Sequence, residues 1–256
     1  MPDYQTIICH QTDAVATITI NRPKVLNAMN QQFWIDFEDA LDAMGNNSDV
    51  KVLIITGTGR AFSTGADLKA SKDRDPDAYR SYLTRLQQIS RKLIRYEKPT
   101  IAAINGYALG SGYELALACD IRIAAEDAQI GSPEARVNAS VTGGAFKLLY
   151  DLVGPGKARE LLFTAEYISG REAAAIGLVN KTVASDDLMA AAETMARKIA
   201  ENSLFSIQMM KKGLFLAQGE TSMDALMDFE IEACLACVST DARRQSLHDF
   251  EKRKEK

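Results

Sequence analysis

The stretch KPTIAAINGYALGSGYELALACDIRIAAEDAQIGSPE, residues 98–134, contains the strongest signals for the fold. Its apolar segment 100–106 predicts a strand, a Gly-Ser-Gly turn leads into a predicted helix at 112–119, and another strand is predicted at 121–126. One glutamate, Glu114, stands in the otherwise apolar helix. A buried carboxylate without a partner is unfavourable and tends to take up a proton, so Glu114 is a candidate for chemistry.

Two glutamates in this stretch have a structural as well as a chemical interpretation. Ser111 and Glu114 match the capping-box pattern, in which the serine is the N-cap and the glutamate is the third helical residue. Ser132, Pro133 and Glu134 match an N-cap, a first helical residue and an acid in the first turn. If the two carboxylates instead converge on one pocket, they can serve as a general acid and a general base. The residues alone leave both interpretations open.

Two glycine-containing turns follow predicted strands. STGAD, residues 63–67, follows the strand predicted at 51–57, and the Gly-Ser-Gly turn follows the strand at 100–106. Backbone N–H groups at such junctions can hold an anion, although spacing alone favours two ordinary turns. Neither turn matches the phosphate-loop pattern GxxxxGK[ST] or the dinucleotide pattern GxGxxG.

The order of elements predicts an α/β fold with largely parallel strands through about residue 185. Besides the elements above, we expect a strand at 14–20 and helices at 31–46, 77–97, 144–153, 156–164, 169–177, 188–203, 204–218 and 222–238. The helical C-terminal third lacks an obvious core of its own. We therefore expect it to pack on the body of the protein or on a neighbouring subunit.

Composition and charge narrow the classes of function. The chain has 256 residues, 46% of them hydrophobic, and a formal net charge of −4, so a basic nucleic-acid surface is not indicated. No apolar run approaches the roughly 20 residues of a membrane-spanning helix. The N-terminus MPDYQTIICH lacks the pattern of a secretory signal. These features predict a cytoplasmic protein that does not bind a membrane.

The cysteines and histidines do not suggest a metal or redox site. The four cysteines are expected to be reduced thiols. Cys234 and Cys237 form a C-x-x-C, which is compatible with a redox pair, but the helical character of EIEACLACV favours two buried residues one helical turn apart. His10 and His248 are the two histidines of the sequence and lie near its opposite ends. A zinc site or a histidine-based catalytic triad is therefore not expected, and neither is a redox cofactor.

Several segments taken together resemble the enoyl-CoA hydratase/isomerase family, also called the crotonase superfamily. The similar segments are NRPKVLNAMN (21–30), GRAFSTGADLKA (59–70), the quoted block 98–134, ARELLFTAEYISGREAAAIGLVNKTV (158–183) and DFEKRK (249–254). Each motif is moderately specific alone, whereas their order and spacing are highly specific. The resemblance implies a crotonase-like spiral of β-β-α units over residues 1–195. It also implies a helical C-terminal region over 196–256 and assembly as a homotrimer or homohexamer.

The resemblance also implies a substrate class and a set of site residues. Substrates would be acyl thioesters of coenzyme A, and the N–H groups of Ala66 and Ser111 would form an oxyanion hole for the thioester oxygen. Glu114 and Glu134 would be the two catalytic glutamates of a hydratase, which adds water across the C2–C3 double bond. No cofactor is implied beyond the coenzyme A of the substrate. Substrate contacts are expected from Lys24, Leu26, Gly65, Ala66, Asp67, Leu68, Lys69, Gly110 and Thr142.

One segment departs from the family pattern, and other activities stay open. In NASVTGGAF, residues 138–146, Val141 and Thr142 replace the proline and glycine of a Pro-Gly-Ala-Gly-Gly-like segment of hydratases. We therefore expect Thr142 to affect acyl specificity. The alternatives are a crotonase-fold isomerase, another acyl-CoA lyase or hydrolase, a catalytically silent scaffold, and an RNA-binding member of the fold. The acidic balance and the lack of a Lys/Arg-rich helix argue against RNA binding.

Overall fold

The computed structural model describes residues 3–71, 75–219 and 222–238. The C-terminal EKRKEK, predicted to be a solvated charge run, lies outside these residues. The described strands are β1 (Ile7–Thr12), β2 (Val15–Ile20), β3 (Val52–Gly57), β4 (Ala61–Ser63), β5 (Thr100–Ile104), β6 (Tyr107–Leu109), β7 (Ile121–Ala125), β8 (Gln129–Gly131), β9 (Ile168–Ser169) and β10 (Lys181–Val183). The described helices are α1 (Gln31–Asn46), α2 (Leu68–Ser71), α3 (Pro76–Ile94), α4 (Ser111–Leu117), α5 (Ala145–Thr164), α6 (Gly170–Ala175), α7 (Leu188–Ala200), α8 (Leu204–Ala217) and α9 (Met223–Val238). Short 3-10 helices cover Pro23–Val25, Glu134–Val137 and Ser185–Asp187.

The described strands form two sheets. The larger has the order β1-β2-β3-β5-β7-β10, and every neighbouring pair except β1 and β2 is parallel. The smaller has the order β4-β6-β8-β9, in which β4, β6 and β8 are parallel. The pairs β3–β4, β5–β6 and β7–β8 each place one strand in the larger sheet and the next in the smaller, and a helical segment follows. This repeat is the expected spiral of β-β-α units.

Helices cover both faces of the larger sheet. Leu53 and Ile55 of β3 belong to the cluster that contains the aromatic side chains of α1, whereas Val52 and Ile54 pack with Ala192 and Ala196 of α7. Such two-sided burial explains why this strand is a continuous apolar run instead of an alternating one. The predicted domain boundary at 195/196 falls inside α7, a helix of the core, and the division into two domains stays a prediction.

Most predicted elements are present, and the differences concern short elements. The helices predicted at 144–153 and 156–164 are two parts of α5, separated at Gly154, where φ is 74°. β1 was not predicted, although it pairs antiparallel with β2 over its whole length. The three-residue strands β4, β6 and β8 were not predicted, because so short a segment has no readable periodicity.

The C-terminal helices α8 and α9 pack on each other and leave apolar side chains exposed. Those at least 37% exposed are Phe205, Met210, Leu214, Phe215, Met223, Met227, Ile231 and Leu235. Cys234 is also exposed, so the prediction that it is buried is wrong for the single chain, in which α9 is uncovered on its outer side. No described helix is long and apolar enough to span a bilayer.

Candidate active site

The smaller sheet brings three loops to one edge. β4, β6 and β8 are parallel neighbours, so their carboxyl ends meet at the same side of the sheet. Ala66 lies just past β4, Ser111 just past β6 and Glu134 just past β8. The spiral of β-β-α units therefore gathers residues that are far apart in the chain.

The loops after β4 and β6 touch through their backbones at Gly65. This residue has φ of +88°, a region that glycine adopts readily and other residues rarely do. A Cβ atom there would lie 2.7 Å from the carbonyl oxygen of Leu109 and 2.8 Å from the backbone nitrogen of Ser111. Only glycine allows this approach, which places Ala66 and Ser111 next to each other.

The backbone N–H groups of Ala66 and Ser111 are available to a ligand. Met29 forms a parallel bridge with Ala66 by donating to Gly65 O (2.7 Å) and accepting from Asp67 N (3.0 Å), so the Ala66 N–H takes no part in it. Ser111 is the first residue of α4, and the first N–H groups of a helix have no acceptor within the helix. Neither N–H donates to an acceptor within the described parts of the chain.

The capping box predicted from Ser111 and Glu114 is wrong. Gly110, with φ of 54° and ψ of −127°, is the N-cap of α4, and no side chain caps the helix. The glycine lets the chain turn directly from β6 into the helix, so α4 begins one residue earlier than predicted. Glu114 is then the fourth helical residue, and its carboxylate bonds to a distant segment.

That carboxylate is buried and held by Thr142. The Glu114 residue is 3% exposed. Oε1 accepts from the Thr142 backbone N–H at 2.5 Å, and Oε2 accepts from the Thr142 hydroxyl at 2.7 Å. Burial raises the pKa of Glu114, the two hydrogen bonds from Thr142 lower it, and the negative charge of Glu134 raises it again; the net shift is upward.

Glu134 faces the same space from the loop after β8. Its Oε1 lies 2.9 Å from the position that a Cβ on Gly110 would occupy. The Ser132 hydroxyl bonds to its Oε2. The predicted capping is wrong here as well, because the residues form a 3-10 helix with Pro133 as N-cap and no side-chain cap. The serine instead orients the glutamate.

A further loop joins the site from residues 22–30. Asn27, fully buried, donates to Thr58 O at 3.0 Å and to Ala61 O at 2.7 Å, and it accepts from Arg22 N at 2.8 Å. The Arg22 guanidinium forms an ion pair with Asp67 at 3.1 Å. Our sequence reasoning assigned no role to Arg22 or Asn27. The sequence did mark them, because the segment NRPKVLNAMN resembles the family pattern N-R-P-x-x-x-N-A, in which this arginine and this second asparagine are specified.

The structure therefore divides the predicted site residues into two neighbouring groups. The first group surrounds the two carboxylates and consists of Gly65, Ala66, Gly110, Ser111, Glu114, Glu134 and Thr142. The second group lies on the loop 22–30 and at the start of α2 and consists of Lys24, Leu26, Asp67, Leu68 and Lys69. The backbone bond from Thr64 N to Leu26 O, 3.1 Å long, holds the loops of the second group together.

An apolar cavity without this chemistry lies elsewhere. It has a volume of about 580 Å³ and lies between α8 and the C-terminal end of α4, where Cys119, Leu148, Met210 and Phe215 line it. Glu114, in the middle of α4, does not line this cavity. Two carboxylates line it, but Asp120 forms an ion pair with Lys211 and Asp151 forms one with Lys147. The candidate chemistry therefore belongs to the edge of the smaller sheet.

Comparison with known proteins identifies the family. The sequence profile of the enoyl-CoA hydratase/isomerase family matches residues 10–256. The chain belongs to this family. It is 37% identical over 254 residues to a short-chain-enoyl-CoA hydratase of Clostridium acetobutylicum, a match that covers 98% of this chain and 97% of the relative. It is 36% identical over 253 residues to a crotonyl-CoA hydratase of Syntrophomonas wolfei, covering 98% and 97%.

The similarity extends to three-dimensional structure. The crystal structure of an enoyl-CoA hydratase from Bacillus anthracis superimposes with a TM-score of 0.94 at 31% sequence identity, and the match covers 97% of each chain. The crotonase-like fold expected from the sequence is thereby confirmed.

The raised pKa of Glu114 predicts a specific pH dependence of stability. Above the ordinary glutamate pKa of about 4.3, the folded protein retains a proton that the unfolded chain has lost. The free energy of unfolding of the wild type should therefore fall, relative to Glu114→Gln, as the pH rises from 4 towards the raised pKa. Urea titrations over this range measure the difference.

Glu172→Gln is the opposite-sign control. Hydrogen bonds from the Ser169 backbone N–H and hydroxyl lower the pKa of Glu172, so this carboxylate should add stability as the pH rises towards 4.3. A difference between wild type and Glu114→Gln that does not change with pH would contradict the account of Glu114.

Proposed function

We propose that this protein is an enoyl-CoA hydratase that adds water across the C2–C3 double bond of an enoyl-CoA thioester. The observation that supports this most directly is the convergence of Glu114 and Glu134 beside the unpaired N–H groups of Ala66 and Ser111. Relatives at 36–37% identity over almost the whole chain are named short-chain-enoyl-CoA and crotonyl-CoA hydratases. Retention of both glutamates favours hydration over the isomerase, lyase and hydrolase activities of the fold.

The two N–H groups are suited to a developing negative charge. Addition of water at C3 moves the electrons of the double bond through C2 and C1 onto the thioester oxygen, which becomes an enolate oxyanion. Donors already fixed by the contact at Gly65 need no reorganisation when this charge appears. The loss of one such donor typically reduces transition-state stabilisation by roughly 2.7–4 kcal/mol.

The two carboxyl groups accept and donate the protons that are transferred during hydration. The Glu114 carboxylate accepts a proton from water while the water oxygen bonds to C3. Glu134 in its protonated form then delivers a proton to C2 as the enolate returns to the thioester. One water is consumed, the two carboxyl groups exchange protonation states, and proton transfer between them or with solvent restores the enzyme.

The loops 22–30 and 64–69 are the proposed coenzyme A site. They are held together by backbone bonds and by the ion pair of Arg22 with Asp67. Lys24 and Lys69 are exposed beside them, so their ammonium groups are accessible to the phosphates of coenzyme A.

The cytoplasmic location expected from the sequence remains a prediction.

A homotrimer or a dimer of trimers is the proposed assembly. The exposed apolar side chains of α8 and α9 form a patch of the kind that marks protein interfaces.

Light scattering should give a mass of about three or six chains of 28.0 kDa. The double substitution Met227→Asp with Ile231→Asp should release smaller species. A monomeric wild type would contradict this proposal.

The direct test of the activity uses purified protein and crotonyl-CoA. The absorbance of the enoyl thioester should disappear, and mass spectrometry should find a product heavier by one water. An isomerase would instead convert a 3-enoyl-CoA without a change in mass. No water addition with short, long or aromatic enoyl-CoAs would contradict the proposal.

Glu114→Gln and Glu134→Gln should each lower the turnover number for hydration by about 10²–10⁴-fold, the usual contribution of general acid–base catalysis. Coenzyme A binding should persist, because the proposed binding loops are untouched. Steady-state kinetics and calorimetric titration with coenzyme A measure the two effects separately.

Glu160→Gln is the control for these substitutions. Glu160 is an exposed glutamate of α5 that pairs with Lys157, and its replacement should leave turnover unchanged. If the two site variants show normal turnover and only a lowered melting temperature, the glutamates are helix-start charges and have no part in catalysis.

Gly65→Val should raise the KM for an enoyl-CoA and lower the turnover number. The added side chain would collide with Leu109 O and Ser111 N, which separates the oxyanion donors and displaces the coenzyme A loop. The matched control is Gly59→Val, because Gly59 also has positive φ (+74°) but its nearest neighbour would be Pro23 Cβ at 3.8 Å. Gly59→Val should lose stability and keep its activity. Equal kinetic losses in both variants would show that backbone strain alone is responsible.

A further inference from the structure

Thr142 is the residue that contacts the Glu114 carboxylate most closely. It stands on the short connection between the 3-10 helix Glu134–Val137 and α5, and its carbonyl accepts from Ala145 N at 2.9 Å. Its neighbour Gly143 has φ of +60°, and a Cβ there would lie 3.4 Å from Glu114 Cβ and 3.1 Å from Ser90 Oγ. The connection therefore packs directly against the glutamate, and Thr142 has little freedom to move.

The two hydrogen bonds from Thr142 are of different kinds. Any residue except proline at this position can supply the backbone N–H that bonds to Oε1 at 2.5 Å. The second bond, to Oε2 at 2.7 Å, needs a side-chain donor, which here is the hydroxyl. An ionised carboxylate only accepts hydrogen bonds, so the hydroxyl must donate to it.

We propose that the Thr142 hydroxyl is a positioning group for Glu114, which fixes the plane of the carboxylate and holds it ready to accept a proton from the attacking water. A carboxylate has about four acceptor directions, two on each oxygen. Thr142 uses one on each oxygen, and one on each remains for water. The effect on turnover rests on the proposed hydratase function, whereas the positioning of the Glu114 carboxylate by Thr142 does not.

The hydroxyl also stabilises the charged form of Glu114, which the surroundings of this side chain destabilise. Burial and the charge of Glu134, which approaches from the 3-10 helix, both disfavour a negative charge on this carboxylate. Within the part of the chain that the structure describes, Tyr113 on the same helix is the other titratable group that interacts with Glu114, and α3 presents the uncharged Ser90 hydroxyl to the connection. Among the described residues, Thr142 is the group that donates hydrogen bonds to Glu114.

Removal of the hydroxyl should therefore shift the pKa of Glu114 in one direction. The charged form of Glu114 loses one of its two donors, so the pKa of this group rises further. The base form then disappears at a higher pH, and the acidic limb of the profile of turnover number against pH moves upward. The position of this limb reports the protonation of the enzyme–substrate complex.

The test compares Thr142→Val with Thr142→Ser. Valine keeps the shape and removes the hydroxyl, whereas serine keeps the hydroxyl and removes the methyl group. The acidic limb should move up by about 1–2 pH units in Thr142→Val, the equivalent of one hydrogen bond to a charged group. It should stay in place in Thr142→Ser. An unmoved limb in Thr142→Val, or an equal shift in both variants, would overturn the proposal.

A second measurement does not depend on turnover. Infrared spectra recorded as a function of pH show the carboxylic acid band of Glu114, which is assigned by its loss in Glu114→Gln. Its midpoint should rise in Thr142→Val and not in Thr142→Ser; an unchanged midpoint in Thr142→Val would contradict the hold on Glu114. Thr142→Ala replaces Thr142→Val if circular dichroism shows that valine prevents folding. A wild type without hydratase activity would contradict the proposed function, and the infrared titration would still decide the role of Thr142.

Discussion

Burial of the Glu114 carboxylate is the constraint on which the rest of the site depends. A charge enclosed by apolar residues needs fixed hydrogen-bond donors, and here they come from Thr142, which is 28 residues away in sequence. This requirement ties the start of α4 to the connection that precedes α5. The 3-10 helix that contains Glu134 directly precedes this connection, so one segment of the chain carries both Glu134 and the residue that holds Glu114.

The repeated β-β-α unit brings the loops of the site together. Each turn of the spiral adds one strand to the larger sheet and one to the smaller, so successive loops arrive at the same edge. The larger sheet has helices on both faces and contributes side chains to both clusters of buried apolar residues. The smaller sheet, with strands β4, β6 and β8 of three residues each, adds less to the core and positions the chemistry.

The sequence predicted the elements that a long apolar run or a helical period marks, and it missed those that neither marks. β3 and the helix α1, with its buried Phe33, Phe37 and Leu41, were predicted because apolar patterns mark them over many residues. The strands of the smaller sheet were too short for such a pattern.

Three features of the site differ in how far the sequence could reveal them. The convergence of Glu114 and Glu134 was implied by resemblance alone, since no local pattern encodes a contact between different turns of the spiral. The two capping predictions were wrong because glycine and proline at the helix starts moved the cap and freed both side chains for the pocket. The bond between Thr142 and Glu114 had no signal in the sequence at all, because it joins two loops only after folding.

The central claim is that the thioester oxygen binds between the N–H groups of Ala66 and Ser111, with the two glutamates on the reacting carbons. The most direct measurement is a crystal structure with a saturated acyl-CoA such as butyryl-CoA, which binds but has no double bond to hydrate. The account predicts the thioester oxygen about 2.7–3.1 Å from both backbone nitrogens. It also predicts C3 beside the Glu114 carboxylate and C2 beside Glu134. A thioester oxygen that contacts neither nitrogen, or an acyl chain in the cavity beneath α8, would contradict it.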